Sequence, residues 1–231
     1  MKKKIIISIL NSINYIWCLL PEFLRKFIFR GLFAIESRGN PKSSLKFLFT
    51  LDEYLEQFIS QSAIRYDGKH HPKHRLTNYH DYFIKNIEEN SKVLDVGCGY
   101  GYVAFKIAEK VKDSTIYGVD RVDEKILFAN QEYKLPNLNF FCNDVTKSEF
   151  SEKYDIIILS NIIEHIDKRI DFIKSLINNC EPKKILFRIP DFKRSWYLPL
   201  KKELGINYFS DAEHFIEPTY EEFENEINLA G

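Results

Sequence analysis

VLDVGCGYG, residues 93–101, is the stretch of this sequence that decides the fold. Three apolar β-formers and Asp95 come first, and glycines then follow at alternate positions, Gly97, Gly99 and Gly101. A buried strand that runs into a glycine-rich turn and then into a helical pattern is how α/β proteins build a nucleotide site. Glycine permits a positive φ and lets a ligand approach the backbone without meeting a Cβ atom. The stretch therefore predicts a ligand-binding turn at the carboxyl end of a strand.

Turns of this kind bind two different classes of cofactor. A dinucleotide fingerprint, G-x-G-x-x-G, needs glycine at position 102, where Tyr102 stands. The sequence instead reads D-x-G-x-G-x-G, and a carboxylate before the first glycine suits an amino group but repels a pyrophosphate. The turn resembles the first motif of the class I S-adenosylmethionine (SAM) methyltransferases. The resemblance implies SAM contacts from five residues of the turn: Asp95, Gly97, Cys98, Gly99 and Gly101.

From this strand onward, strand and helix patterns alternate, which predicts a parallel α/β sheet with helices on both faces. The predicted strands are 92–96, 115–120, 138–142, 154–161 and 184–189. The resemblance implies the Rossmann-like sheet of class I methyltransferases, preceded here by extra N-terminal helices. In that family two more strands follow the last helix, and the sequence to Gly231 lacks them. We expect this C-terminal hairpin to be missing, with either an incomplete chain or an edge covered by a partner or by the N-terminal region.

Polar residues follow three of the predicted strands. Asp120 ends the second strand, where an acid accepts hydrogen bonds from the ribose hydroxyls of an adenosyl group in SAM and NAD proteins alike. Asp144 follows the third strand, at a position that the resemblance assigns to the adenine amino group; capping of a turn is the alternative. Asn161 ends the fourth strand and is assigned to SAM by the same resemblance.

Residues 37–91 are predicted to form a helical cap leading into the core. In many methyltransferases the helix before the first strand covers the cofactor, so the resemblance implies that Arg75 and Tyr79, one turn apart on a helix from about residue 74 to 90, face the methionine end of SAM. Four histidines in this region suggest a metal site: His70, His71, His74 and His80. They lack a cysteine or carboxylate at ligand spacing, so we favour a solvated loop and predict no metal site.

The residues after the fourth strand, Glu164 and His165, resemble the "EH" signature of small-molecule methyltransferases, including those of ubiquinone biosynthesis. At the carboxyl edge of the central strands, His165 is placed to remove a proton from a substrate hydroxyl; a histidine that only shapes the pocket is the alternative. Residues 190–217 are too long for a simple connector, and their aromatic and polar groups suit a saccharide or another polyhydroxylated substrate, or else form a lid. The segment from His214 also resembles bacterial methyltransferases, some of which modify cell-surface glycans. The predicted substrate contacts are Asp191, Trp196 and His214.

Residues 1–36 differ from the rest of the chain. Lys2, Lys3 and Lys4 precede an apolar run at 5–20, and a Phe-rich stripe follows with cationic side chains beside it. Basic, aromatic-rich amphipathic helices lie in membrane interfaces. The same stripe would equally serve as a lid on the catalytic domain or as the seam of a dimer. Membrane contact at the inner face and packing within the protein therefore remain alternatives.

The composition narrows the class of partner. Lys plus Arg and Asp plus Glu both number 33, so no overall field attracts nucleic acid. The four cysteines are scattered without a C-x-x-C, which is typical of free thiols in a reducing compartment. We predict a cytoplasmic SAM-dependent methyltransferase with its core at 92–231, acting on a small-molecule, saccharide or lipid-linked acceptor. Oxygen is the expected acceptor atom, and nitrogen and carbon are the alternatives. A non-catalytic SAM-fold subunit and an NAD-dependent oxidoreductase are the alternatives, and Tyr102 disfavours the latter.

Overall fold

The computed structural model of the chain describes residues 13–68, 71–147 and 152–231. The chain forms two compact units. The first comprises the residues up to Ser62 together with Leu204–Ile206, and the second comprises Ala63–Glu203 and Asn207–Gly231. All five strands of the sheet lie in the second unit.

The second unit is built on five parallel strands in the spatial order β3-β2-β1-β4-β5. The strands are β1 (Lys92–Val96), β2 (Thr115–Asp120), β3 (Leu138–Cys142), β4 (Ile156–Ser160) and β5 (Lys184–Arg188). The chain runs outward from β1 to β3 and then returns to β4 on the other side of β1. The carboxyl ends of β1 and β4 therefore meet at the point where open α/β sheets bind ligands. This order confirms the predicted Rossmann-like sheet, with β4 in the interior.

The described helices surround and precede this sheet. In chain order they are α1 (Glu22–Glu36), α2 (Pro41–Asp67), α3 (Lys73–Thr77), α4 (Asp81–Asn86), α5 (Tyr102–Lys110), α6 (Asp123–Glu132), α7 (Arg169–Cys180), α8 (Tyr197–Glu203) and α9 (Tyr220–Ala230). Successive residues of β1 enter cores on opposite faces of the sheet. Val93 packs in the cluster that contains Ile107 of α5, whereas Leu94 packs in the cluster that contains Leu176 of α7. Because both faces of the sheet are buried, the strands appear in the sequence as runs of apolar residues.

The segment before β1 differs from its prediction. The expected helix over 74–90 is broken into α3 and α4, because Asn78 adopts a left-handed conformation with φ 45°. The predicted pairing of Arg75 and Tyr79 on one helical face is therefore wrong. The solvated loop is also wrong for His80, which is only 5% exposed. His70 lies outside the described residues.

The long segment after β5 is partly helical. It contains a 3-10 turn at Phe192–Arg194 and helix α8, and it ends where α9 begins. A capping box marks that beginning: the Thr219 hydroxyl accepts from the amide of Glu222, whose carboxylate accepts from the amide of Thr219.

The first unit exposes much of its apolar surface. Helix α1 has no buried residue, and residues 13–19 form a further helical stretch before it. A groove of about 960 Å³ between these segments is lined by Trp17, Phe29 and Phe33 together with Arg25 and other residues. Among the described residues, no helix combines the length and the apolar character needed to cross a membrane.

Candidate functional site

The glycine turn after β1 is held by three left-handed residues. Gly97, Gly99 and Gly101 have φ values of 67°, 56° and 81°. A Cβ atom at Gly97 would stand 1.9 Å from the Ile162 side chain, and one at Gly101 would stand 2.7 Å from the Phe140 ring. A Cβ atom at Gly99 would meet nothing within 4 Å. Packing thus requires two of the glycines, and Gly99 keeps open the space into which the turn faces.

Two cavities meet at this turn. One, of about 480 Å³, extends over the ends of β2 and β3, and the other, of about 450 Å³, extends toward α3 and the residue that ends β5. They share a wall made of Gly97, Asn161, His165 and Asp211. We call the first the β2 cavity and the second the β5 cavity. Two joined cavities with a histidine between them suit two reactants that exchange a group across that wall.

Two predicted acids line the β2 cavity. Asp120 is 7% exposed and accepts hydrogen bonds of 2.9 Å from the amides of Gly99 and Val122, one on each oxygen. It therefore fixes the glycine turn while presenting its remaining lone pairs to the cavity. Asp144 lines the same cavity but also caps its own turn, accepting from the amide and hydroxyl of Thr146 at 3.1 and 2.7 Å. Hydrogen bonds from Thr146 and Lys147 lower the pKa of Asp144 to about 2.

Asp95 stands at the foot of the turn, in the wall of the β5 cavity. It is 1% exposed, and its Oδ2 atom has no hydrogen-bond partner among the described residues. Burial raises the pKa of Asp95 to about 7; an amide hydrogen bond from Ala104 lowers it, and the nearby Asp120 raises it further. A buried carboxylate oxygen without a donor fits a cationic donor from a ligand, as the ammonium group of SAM would provide. Cys98 lines the same cavity, and burial raises the pKa of its thiol.

The two histidines that line the β5 cavity come from different segments. His165 ends the 3-10 turn Ile163–His165, and its ring lies edge-on to the His214 ring with 4.5 Å between centroids. His214 Nδ1 lies 2.8 Å from Glu217 Oε1. The same Glu217 oxygen accepts from the amide and hydroxyl of Ser210, and Arg194 forms an ion pair of 2.6 Å with the other oxygen. Burial alone would raise the pKa of Glu217, but these donors together hold it below its usual value.

Glu164 was not among the predicted site residues, although its motif was recognised. Its side chain is fully buried, Oε1 accepts from Asn161 Nδ2 at 3.0 Å, and Oε2 has no hydrogen-bond partner among the described residues. Burial raises the pKa of Glu164. Asn161, at φ 59°, also accepts a hydrogen bond from Arg188. The backbone amide of Phe215 donates to the Glu164 carbonyl at 2.8 Å, which ties the long segment after β5 to this turn.

Cationic and aromatic groups complete the β5 cavity. Tyr79 lines this cavity, and the Arg188 guanidinium lies 4.2 Å from the centre of the Tyr79 ring. Burial raises the pKa of Tyr79 to about 12. Lys73 lines the cavity as well, and burial together with the nearby Arg188 lowers its pKa. Sequence reasoning missed Lys73 and Arg188; the position of Arg188 at the carboxyl end of β5 was the available signal.

Three predicted site residues have other partners and do not line either cavity. Arg75, within α3, forms an ion pair of 2.6 Å with Asp67. Asp191 caps the 3-10 turn by accepting from the amide of Lys193 at 2.8 Å. Trp196 is 68% exposed and packs against Tyr197. The SAM contact of Arg75 and the substrate contacts of Asp191 and Trp196 stay predictions, and the positions of these side chains do not favour them.

Comparison with known proteins places this site in a wider group. Residues 87–209 match the family model described as "Methyltransferase domain". The chain is 33% identical over 97 residues to N-methyltransferase 4 of Papaver somniferum, covering 40% of this chain and 27% of that protein. It is 28% identical over 108 residues to malonyl-[acyl-carrier protein] O-methyltransferase of Acetivibrio thermocellus, covering 45% and 37%. The chain thus spans roughly a quarter to two fifths of these curated relatives.

A solved structure shares the fold. Magnesium protoporphyrin IX methyltransferase from Synechocystis PCC 6803, with bound SAH, matches 67% of this chain and 72% of its own, with 16% identity and a TM-score of 0.52.

Proposed function

The chain belongs to the methyltransferase-domain family, and from that premise we propose that it transfers the methyl group of SAM to an oxygen atom of a small-molecule, saccharide or lipid-linked acceptor. Its cofactor is SAM. The observation that carries the proposal is the junction of the two cavities at Gly97, Asn161 and His165, with the buried Asp95 beside it, whose Oδ2 atom has no partner among the described residues.

The residues divide the cofactor between the two cavities. Asp120 is placed to accept from the ribose hydroxyls and Asp144 from the adenine amino group at the rim of the β2 cavity. Asp95 accepts from the ammonium group in the β5 cavity. Gly99 allows the backbone to approach the cofactor because no Cβ atom occupies that space.

The acceptor enters the β5 cavity, where Tyr79, Arg188 and His214 provide polar contacts. SAM supplies an electrophilic methyl group on a sulfonium. With SAM bound, the imidazole of His165 would take the proton of the acceptor hydroxyl as that oxygen bonds to the methyl carbon. The carbon–sulfur bond would break in the same step, and its electron pair would stay on sulfur. Alignment of the acceptor oxygen with the methyl group of the cofactor provides most of the rate enhancement. Oxygen is the preferred acceptor atom because two imidazoles stand where such a proton must leave; the relatives include both N- and O-methyltransferases.

Two measurements test the function. Calorimetric titration of the full chain with SAM and, in parallel, with NAD should show binding of SAM alone. Transfer of a labelled methyl group should then be assayed against a panel of hydroxylated acceptors and matched amines. Failure to bind SAM overturns the proposal, and transfer only to amines overturns the choice of oxygen. SAM binding without transfer to any acceptor would favour a non-catalytic SAM-binding subunit.

We also propose that the first unit contacts an anionic membrane surface. On α1, Phe23, Phe27 and Leu32 are all more than half exposed, and Arg25 and Arg30 lie on the same helix. An exposed aromatic face beside cations matches the composition of interfacial helices. Anionic headgroups attract each such cation by about 1 kcal/mol. An acceptor made or held at the inner face of the membrane would then be delivered to the enzyme by the same surface.

Co-sedimentation with liposomes tests this contact. We expect the full chain to pellet with anionic vesicles and added salt to release it, whereas a chain that starts at Ser37 should stay in solution. Zwitterionic vesicles provide the control. If the shortened chain aggregates or unfolds at a much lower temperature, the segment belongs to the protein interior and the membrane contact is refuted.

A further inference from the structure

Three potential metal ligands from two separate segments meet at the carboxyl edge of the sheet. Glu164 and His165 belong to the 3-10 turn after β4, and His214 belongs to the segment before α9. One ligand atom from each lies within 4.8 Å of the others. His165 and His214 line the β5 cavity. The cluster is therefore open to the space assigned to the acceptor.

The carboxylate of this cluster lacks a partner for one of its atoms. Glu164 is fully buried, and only its Oε1 atom accepts a hydrogen bond, from Asn161. Its Oε2 atom has none among the described residues. A buried carboxylate oxygen without a donor is costly, and the usual remedies are a cationic partner or a metal ion. Glu164 thus has one oxygen available for a cation.

The second histidine is oriented as metal ligands are. His214 Nδ1 lies 2.8 Å from the buried Glu217 carboxylate, which Ser210 and Arg194 hold in place. Donation from Nδ1 places the proton there and leaves the lone pair on Nε2. Metal-binding histidines almost always donate their other N–H to such a group. Glu217 is therefore a positioning residue for His214.

We propose that Glu164, His165 and His214 bind a divalent transition-metal ion that holds the acceptor oxygen for methyl transfer. One carboxylate and two imidazoles suit Zn²⁺, Mn²⁺ or Fe²⁺, and three protein ligands leave a position for a substrate atom. Ligands of one zinc ion lie roughly 3.3 Å apart in tetrahedral geometry, and the three ligand atoms here lie within 4.8 Å of one another. The inference rests on the proposed function, because the open position faces the acceptor cavity.

The metal ion would replace the imidazole base. Coordination lowers the pKa of a bound hydroxyl, so its proton passes to water. The oxygen then forms a bond to the methyl carbon while the carbon–sulfur bond breaks, and that electron pair stays on sulfur to give the neutral thioether. In this arrangement His165 is a metal ligand, so its lone pair is not available for the proton.

Metal binding is tested on the full chain after treatment with a chelator and removal of the chelator. Mn²⁺ is titrated by electron paramagnetic resonance, and Zn²⁺ competition is followed in the same samples. We expect one Mn²⁺ per chain, with affinity at least tenfold weaker in Glu164→Gln and in His214→Gln. Glu181→Gln is the carboxylate control, because Glu181 is exposed and pairs with Lys153. His71→Gln is the imidazole control, since His71 does not line the β5 cavity. Both controls should bind as the wild type does.

SAM affinity is measured on each sample to separate the two proposals. Absence of stoichiometric Mn²⁺ and Zn²⁺ binding up to about 1 mM, or equal affinity in the variants and controls, overturns the metal site. If SAM still binds in that case, the proposed function stands with His165 as the base. If the wild type itself does not bind SAM, the proposed function is overturned instead. Circular dichroism checks folding, and His214→Gln decides the comparison if Glu164→Gln does not fold.

Discussion

Replacing Asp95 by asparagine should raise the free energy of unfolding of the cofactor-free protein and lower its affinity for SAM. The carboxyl group is fully buried with Oδ2 unpartnered, and burial raises its pKa from 3.8 to about 7. Between these two values the folded state binds the proton that the unfolded chain has already released. The free energy of unfolding therefore falls as the pH rises through this window. The loss is up to about 4 kcal/mol, at about 1.4 kcal/mol for each tenfold change in the ionisation constant.

Asparagine cannot ionise, so Asp95→Asn should escape this loss. We expect the variant to match the wild type near pH 4 and to exceed its free energy of unfolding increasingly up to pH 8. Its affinity for SAM should fall at least tenfold, because a charge-assisted hydrogen bond worth about 1.5–3 kcal/mol is weakened.

Urea unfolding at a series of pH values, with and without SAM, measures both effects. Asp113→Asn is the matched control, since Asp113 is an exposed aspartate before β2. Parallel pH profiles for wild type and Asp95→Asn, or unchanged SAM affinity, would refute the reasoning.

Three further substitutions test the site. Asp120→Ala should weaken SAM binding at least tenfold in calorimetry and lower the melting temperature, because the amides of Gly99 and Val122 lose their acceptor; unchanged affinity in the folded variant would remove Asp120 from the site. Gly99→Val should abolish SAM binding and also cost stability through backbone strain at φ 56°, whereas Gly101→Val should destabilise the fold more, because its clash with Phe140 adds to the strain at φ 81°; thermal melts and titrations that show the reverse order would contradict this. His165→Ala should lower turnover about 10²-fold or more, by loss of a base or a metal ligand, with SAM affinity nearly unchanged; wild-type rates across pH would make His165 structural.

Local patterns in the sequence were sufficient for the fold and for the cofactor turn. The bounds predicted for β1, β2 and β3 are those observed. Strand periodicity and the glycine spacing are properties of a few consecutive residues, and the left-handed conformations at Gly97, Gly99 and Gly101 follow from that spacing. The carboxyl ends of parallel strands share one edge of a sheet, so the placement of Asp120 and His165 followed from strand order as well.

Only the tertiary structure decided which side chains reach the site. Arg75 and Asp191 both carry side chains suited to binding a ligand. Arg75 instead pairs with Asp67, and Asp191 accepts a hydrogen bond from the Lys193 amide. His165 and His214 are 49 positions apart in the sequence, but their rings are in contact. The Phe215 amide donates a hydrogen bond to the Glu164 carbonyl, which holds the two segments together. Sequence patterns specify where a backbone segment runs. The final position of a polar side chain depends on which donors, acceptors and burial it finds once distant segments have packed together.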